Sequence, residues 1–280
     1  MQYNFALAQI NPTLGNIKEN LNKHMLFIDE ALKNKADLIV FPELSLSGYY
    51  LKDRSMEIAL EKDDKFLSPL KKASKQIDIV FGFVERGADK NIYNSALYLS
   101  GGTIVHIHRK IYLPTHGIFE ELRFMNRGSE VKAFDTRFGK VTLLICRDFF
   151  HPSLLFLAYA QNSDFVIVPS NMPLRGLKGE KPEIQSTVEK AADTYTNFFG
   201  NFVVYVNRVG FDDGLGFYGG SFIESPSGEK TGYAGILEER ITFGNVDTED
   251  IYRKRQSFPL LREEDLNIVY KNLRRIMEER

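Results

Sequence analysis

Apolar residues recur along this chain in two alternating rhythms. A short apolar run at Phe5–Ile10 is followed by Ile17, Leu21, Met25, Ile28 and Leu32, spaced three and four apart, which predicts an amphipathic helix. The run Asp37–Phe41 then reads as a strand that stops at Pro42, so the chain opens β-α-β. Phe66, Leu67, Leu70, Ala73 and Ile77 predict a second helix, feeding a strand from Ile79 to Val84. Ser95–Ser100, the Gly101-Gly102 pair and Thr103–His108 read as a hairpin, because paired glycines supply the positive φ angles of tight turns.

The second half repeats the alternation. Val141–Ile145 is a buried strand, Pro152 suits the first turn of a helix through Tyr159, and Asp164 precedes a strand at Phe165–Val168. Ile184, Val188, Ala191, Tyr195 and Phe198 mark a helical face ending at Gly200, before the strand Phe202–Val206. A turn at Ser225–Gly228 splits a later hairpin. Leu266, Val269, Leu273 and Ile276 mark a closing helix, with Lys271, Arg274 and Arg275 on a solvated face. Strands alternating with helices imply mixed sheets covered by helices, which fits a doubly wound sheet as well as other layerings.

Composition narrows the classes. Over 280 residues, 43% apolar content with 22 Phe and 13 Tyr supplies a large core, and no Pro/Gly/Ser-rich linker divides the chain, so one domain over 1–280 is expected. A formal charge of −1, from 36 basic and 37 acidic residues intermixed, favours neither nucleic acid nor an anionic membrane as partner. A small-molecule substrate is expected instead. The first residues lack a secretory pattern, no apolar run is long enough to span a bilayer, and the lone cysteine suits a reducing compartment, so the expectation is a cytoplasmic protein.

That cysteine, Cys146, ends the run Val141–Ile145 immediately before Arg147 and Asp148. A thiol where the chain turns out of a sheet is placed as a nucleophile, although a lone cysteine is also a common small core residue. Two further strand ends carry an isolated charge: Glu43 after Pro42, and Lys110 after the Thr103–Arg109 run. Each alone reads as a solvated surface charge. Together they give a base, a cation and a thiol at strand termini, where open α/β folds assemble sites.

These blocks resemble the nitrilase superfamily of carbon–nitrogen hydrolases. The resemblance begins at Phe5–Pro12 and passes through the Glu43, Lys110 and Cys146 blocks. It continues into Val168–Asn171, Val206–Gly210 and Gly219–Ser221, and reaches Phe258–Glu263. It implies a Glu43-Lys110-Cys146 triad and an α/β fold arranged as a four-layer α-β-β-α sandwich, with the triad at one rim of the paired sheets. It also implies a homodimer or higher homo-oligomer joined through helices near the cysteine and the C-terminal tail. The superfamily's second glutamate falls on Glu121, with Glu120 its close competitor. Arg147 and His151-Pro152-Ser153 depart from the pattern, the latter lacking a terminal glutamate, which leaves the substrate open.

In the chemistry so implied, Glu43 is the acid and base, Lys110 supports thiolate and oxyanion with the backbone N–H of Arg147, and Cys146 carries a thioester; no metal or cofactor is needed. The expected reaction is hydrolysis of a small linear amide to a carboxylic acid and ammonia. Nitrile or N-carbamoyl hydrolysis, or a catalytically silent dimeric scaffold, are the alternatives. Tyr49, Glu120, Arg147, Phe149, Asn171 and Met172 adjoin the catalytic blocks and are candidate substrate-binding residues. Three rival motifs are weaker. His106 and His108 share a strand face but lack a third metal ligand; Gly214–Gly219 matches G-x-G-x-x-G but precedes strand-like residues; and His116 or His151 as a cysteine partner lies in no protease signature.

Overall fold

The computed structural model describes all residues except Ile118, Arg175, Gly179 and Glu180. Two six-stranded mixed sheets face each other. The first runs in the order Arg240–Asp247, Gln2–Gln9, Leu38–Val40, Asp78–Arg86, Ile92–Ser100 and Thr103–Arg109. Its Gln2–Gln9, Leu38–Val40 and Asp78–Arg86 strands are parallel, and its remaining pairings are antiparallel. The second runs Lys230–Tyr233, Phe222–Glu224, Phe202–Asn207, Phe165–Ser170, Gly139–Leu143 and Ala133–Thr136, again with a parallel centre.

Period-2 alternation builds the layers. Phe5, Leu7, Val40 and Val80 of the first sheet meet Leu143, Phe165, Ile167, Val204 and Val206 of the second in one buried cluster. The alternate residues, Ala6, Ala8, Ile39 and Ile79, pack outward against the helices Ile17–Lys33 and Ser68–Ala73. On the other side Val166, Val168, Val203 and Tyr205 pack with Leu154, Leu155, Val188 and Ala192 of the helices Pro152–Ala160 and Glu183–Phe199. The result is the four-layer α-β-β-α sandwich. The expected punctuation appears too: Gly101 and Gly102 have φ of 60° and 87°, and Gly200 caps its helix at φ 60°.

Two expectations need adjustment. The helix Ile17–Lys33 buries Asn20, His24, Ile28 and Ala31, so its innermost line is rotated from the apolar stripe in the sequence. Asn20 donates to the carbonyls of Thr13 and Leu46, and His24 bonds Ser45, so polar partners before the helix and in the loop after Glu43 outrank apolar area at those positions. The closing helix, Leu266–Glu278, buries none of its residues: Val269 is half-buried, and Leu266, Leu273 and Ile276 face solvent with the basic residues. Among the described residues, no helix is long and apolar enough to cross a membrane.

Candidate active site

Three strand ends converge at one rim of the sheet pair. Beyond Leu38–Val40, Pro42 stops the ladder and Glu43 turns inward on a loop docked against Asp78–Arg86. Gly82 lies so close to that loop that a Cβ there would run into the backbone nitrogen of Leu44 and come within 2.9 Å of Glu43 Cα. Lys110 follows the Thr103–Arg109 strand directly, and its N–H bonds the Asn94 carbonyl. Cys146 opens a short 3₁₀ turn, Cys146–Phe150, just past Gly139–Leu143.

Glu43 and Lys110 are each 1% exposed, which overturns the solvated reading of both charges. The Lys110 ammonium donates to Glu43 Oε1 at 2.7 Å and to Glu121 Oε1 at 2.8 Å. Asn94 Nδ2 also donates to Glu43 Oε1, at 2.7 Å, and the Tyr49 hydroxyl donates to Glu121 Oε1. The second oxygen of each carboxylate is buried and has no protein partner among the described residues. A lone carboxylate or ammonium could not stay charged at this depth; the cluster persists because each charge faces an opposite one.

The electrostatics follow from that arrangement. Burial disfavours the lysine's charge, but attraction to Glu121 and Glu43 more than offsets it, and Lys110 is held above its ordinary range. Burial and the neighbouring Glu43 charge push Glu121 up to about 7 against the pull of Lys110. Burial, then the Glu43 charge, raise the Cys146 thiol well above its usual value, with Lys110 and a backbone hydrogen bond from Asn171 opposing. At neutral pH the resting sulfur is therefore protonated, and it needs a base to become a nucleophile.

Backbone strain marks the same two places. Cys146 has φ 44° and Leu44, beside Glu43, has φ 46°, a left-handed region that non-glycine residues seldom occupy. Such outliers survive only where the surroundings enforce them. Around Cys146 the enforcing group is Asp148, fully buried, whose carboxylate accepts the Ile145 N–H at 3.2 Å within the turn. On the Glu43 side, Ser45 Oγ accepts from the Gly82 N–H and bonds His24.

The six candidate wall residues divide. Met172 packs in the same buried cluster as Cys146. Asn171 is 1% exposed, and neither its amide oxygen nor its nitrogen has a protein partner among the described residues. Tyr49 belongs to the charge cluster, as the donor that orients Glu121. Glu120 is exposed and pairs with Arg123 at 3.5 Å, so Glu121 is the glutamate brought to the lysine. Phe149 is completely buried among Leu144, Leu155 and Tyr205, a core residue beneath the turn and not a wall. Arg147 is exposed, and among the described residues it forms no ion pair with Asp148 or Glu120.

Sequence reasoning missed Asn94, whose signal was an amide inside the apolar strand Ile92–Ser100. It also missed the fully buried Arg208, which pairs with Asp212 while Asp212 accepts the Tyr49 N–H at 2.8 Å. The rival motifs separate: His106 stacks on Phe134, His108 bonds Asp148, and His151 stacks on Tyr112. The residues after Gly214 form the strand Leu215–Tyr218 and, past a turn, Phe222–Glu224, where a dinucleotide site requires a helix.

The sandwich with a glutamate, a lysine and a cysteine at one rim has the architecture of the nitrilase superfamily. The chain belongs to that superfamily: residues 4–256 match the carbon–nitrogen hydrolase family. It is 31% identical over 260 residues to a glutamine-dependent NAD(+) synthetase of Acinetobacter baylyi, covering 92% of this chain and 47% of that protein. This chain thus spans about half the length of the synthetases it matches. It is 28% identical to a probable nitrilase of Schizosaccharomyces pombe, covering 98% of this chain and 99% of the relative. The crystal structure of a carbon–nitrogen hydrolase from Helicobacter pylori G27 superposes with a TM-score of 0.86 at 23% identity, over 97% of this chain and 98% of that one, a likeness of fold.

Proposed function

We propose that this carbon–nitrogen hydrolase cleaves a small linear amide to a carboxylic acid and ammonia through a thioester on Cys146. The observation that carries the reading is the buried Lys110 ammonium held between Glu43 and Glu121, beside the chain's single thiol, whose own pKa is driven up by burial.

Each step has a group to perform it. Glu43 takes the thiol proton as sulfur attacks the carbonyl carbon. Lys110 and the backbone N–H of Arg147 stabilise the oxyanion; losing one such donor typically costs roughly 3 kcal/mol. Glu43 returns the proton to nitrogen as the C–N bond breaks and ammonia leaves. It then takes a proton from water, which attacks the thioester, and the C–S bond breaks with the proton passing back to sulfur. Glu121, oriented by Tyr49, keeps the ammonium in place. Lys110→Arg should fail, because a planar guanidinium does not fit where a compact ammonium bridges two carboxylates.

A second reading names the amide as glutamine. It is favoured by the 31% identity with a glutamine-dependent enzyme, of which this chain spans about half the length. Ammonia release from a panel of short amides, glutamine and the matching nitriles separates these readings. The expected result is turnover of at least one amide, abolished in Cys146→Ala with circular dichroism unchanged. Turnover confined to nitriles would replace the amidase reading with a nitrilase one, and an unfolded Cys146→Ala protein would return the cysteine to a packing role.

A further inference from the structure

The reacting groups are divided between the two sheets: Glu43 and Lys110 extend from strands of the first, and Cys146 from a strand of the second. The sheets meet through side-chain packing, which alone leaves the thiol-to-ammonium distance free to drift with every core rearrangement. A specific tie exists at this point. Asp148, two residues past Cys146, reaches across and accepts the N–H groups of Ile111 at 3.1 Å and Tyr112 at 2.8 Å, the two residues after Lys110. His108, two residues before Lys110, bonds the same carboxylate from Nε2 at 3.0 Å. His108 is 2% exposed and Asp148 0% exposed.

We infer that the His108–Asp148 pair is a positioning device that fixes Cys146 of one sheet against Lys110 of the other. The inference rests on the reading of Cys146 as the nucleophile. Asp148 grips the lysine segment from both sides, through residues 108, 111 and 112, while holding its own turn through Ile145 N–H. A carboxylate is suited to this because it accepts several bonds at once, and the His108 ring donates to it from Nε2 when that nitrogen carries the proton. Among the described residues, the hydrogen bonds of both side chains run to each other and to backbone N–H groups. Their effect is on alignment, where a displacement of about 1 Å can cost roughly a hundredfold in rate.

The test follows the thiol itself, by the rate of iodoacetamide modification of the intact protein measured from mass, with thermal unfolding alongside. His108→Phe removes the donor at similar volume, His108→Gln replaces it near the Nε2 position, and Asp148→Asn sets an amide against the backbone N–H groups. We expect His108→Phe and Asp148→Asn to react at least about tenfold more slowly than the parent, and His108→Gln to recover most of the rate, although the two His108 variants lose similar thermal stability. Equal rates in all four proteins overturn the inference, as does a His108→Gln protein as slow as His108→Phe, which would mean that only ring packing matters. A parent protein whose thiol does not react at all would remove the nucleophile reading first, and this inference with it.

Discussion

At the level of single residues, the site is a set of charges that burial forces into partnership, and the partners set its pH behaviour. Glu121 titrates near 7 in the folded chain, against an ordinary carboxyl value of 4.5. Between those values the folded state holds a proton that the unfolded state has lost, so Glu121's contribution is fully present below about 4.5 and disappears as pH rises through about 7. Denaturant unfolding at pH 5 and at pH 7.5 should show that Glu121→Gln loses less stability than the parent on going up in pH; identical slopes would contradict the assignment. Arg147 gives a second prediction. Arg147 follows Cys146 in the chain, is exposed, and forms no ion pair among the described residues. It is free to take a substrate carboxylate through charge-assisted bonds, each worth roughly 1.5–3 kcal/mol. Arg147→Ala should therefore lose kcat/KM on acidic amides by about ten- to a hundredfold while sparing neutral ones. Equal losses on both kinds would sink the idea. Glu43, Lys110 and Cys146 were legible only together: each alone reads as a surface charge or a packed thiol, and it is three strand ends in the order of the superfamily's blocks that single them out. Asn94 and Asp212 were not, since a polar residue in a strand or loop carries no mark of what it will face.

Among the elements, the candidate catalytic residues sit just past strand ends, and the strands set their direction. The Glu43 loop sits where it does because His24 and Asn20 of the helix Ile17–Lys33 hold it from one side and Gly82 admits it from the other. Gly82→Ala should push the Leu44 backbone away, tilt Glu43 from Lys110, and lower kcat by more than the accompanying stability loss explains. Turnover falling only in proportion to the unfolded fraction would contradict that. The periodicities located most helices and strands because period 2 and period 3.6 are imposed by burial on one face. They misplaced the inner line of the first helix, since a buried histidine or asparagine scores as polar until its partners are known.

At the scale of the whole molecule, alternation of strands and helices could not choose between a doubly wound sheet and two stacked sheets, because both bury each strand on two faces. The resemblance of the catalytic blocks made that choice, and the layers agree with it. The closing helix leaves an apolar stripe uncovered by the described residues: Leu266, Tyr270, Leu273 and Met277 are 49%, 63%, 55% and 76% exposed. Their spacing is that of one helical stripe. We expect the stripe to lie in a contact between copies, so that Leu273→Glu with Met277→Glu shifts the protein toward monomer in light scattering after size exclusion; an unchanged mass would place any contact elsewhere.

If an acyl group passes through the sulfur of Cys146, hydroxylamine can divert it from water. With an amide that the protein turns over, neutral hydroxylamine should intercept the thioester, giving the hydroxamate in proportion to its concentration while ammonia is released at least as fast, and Cys146→Ser should give none above the uncatalysed background. Steady ammonia release with no hydroxamate at any hydroxylamine concentration, or hydroxamate formed equally by Cys146→Ser, would rule out a Cys146 thioester.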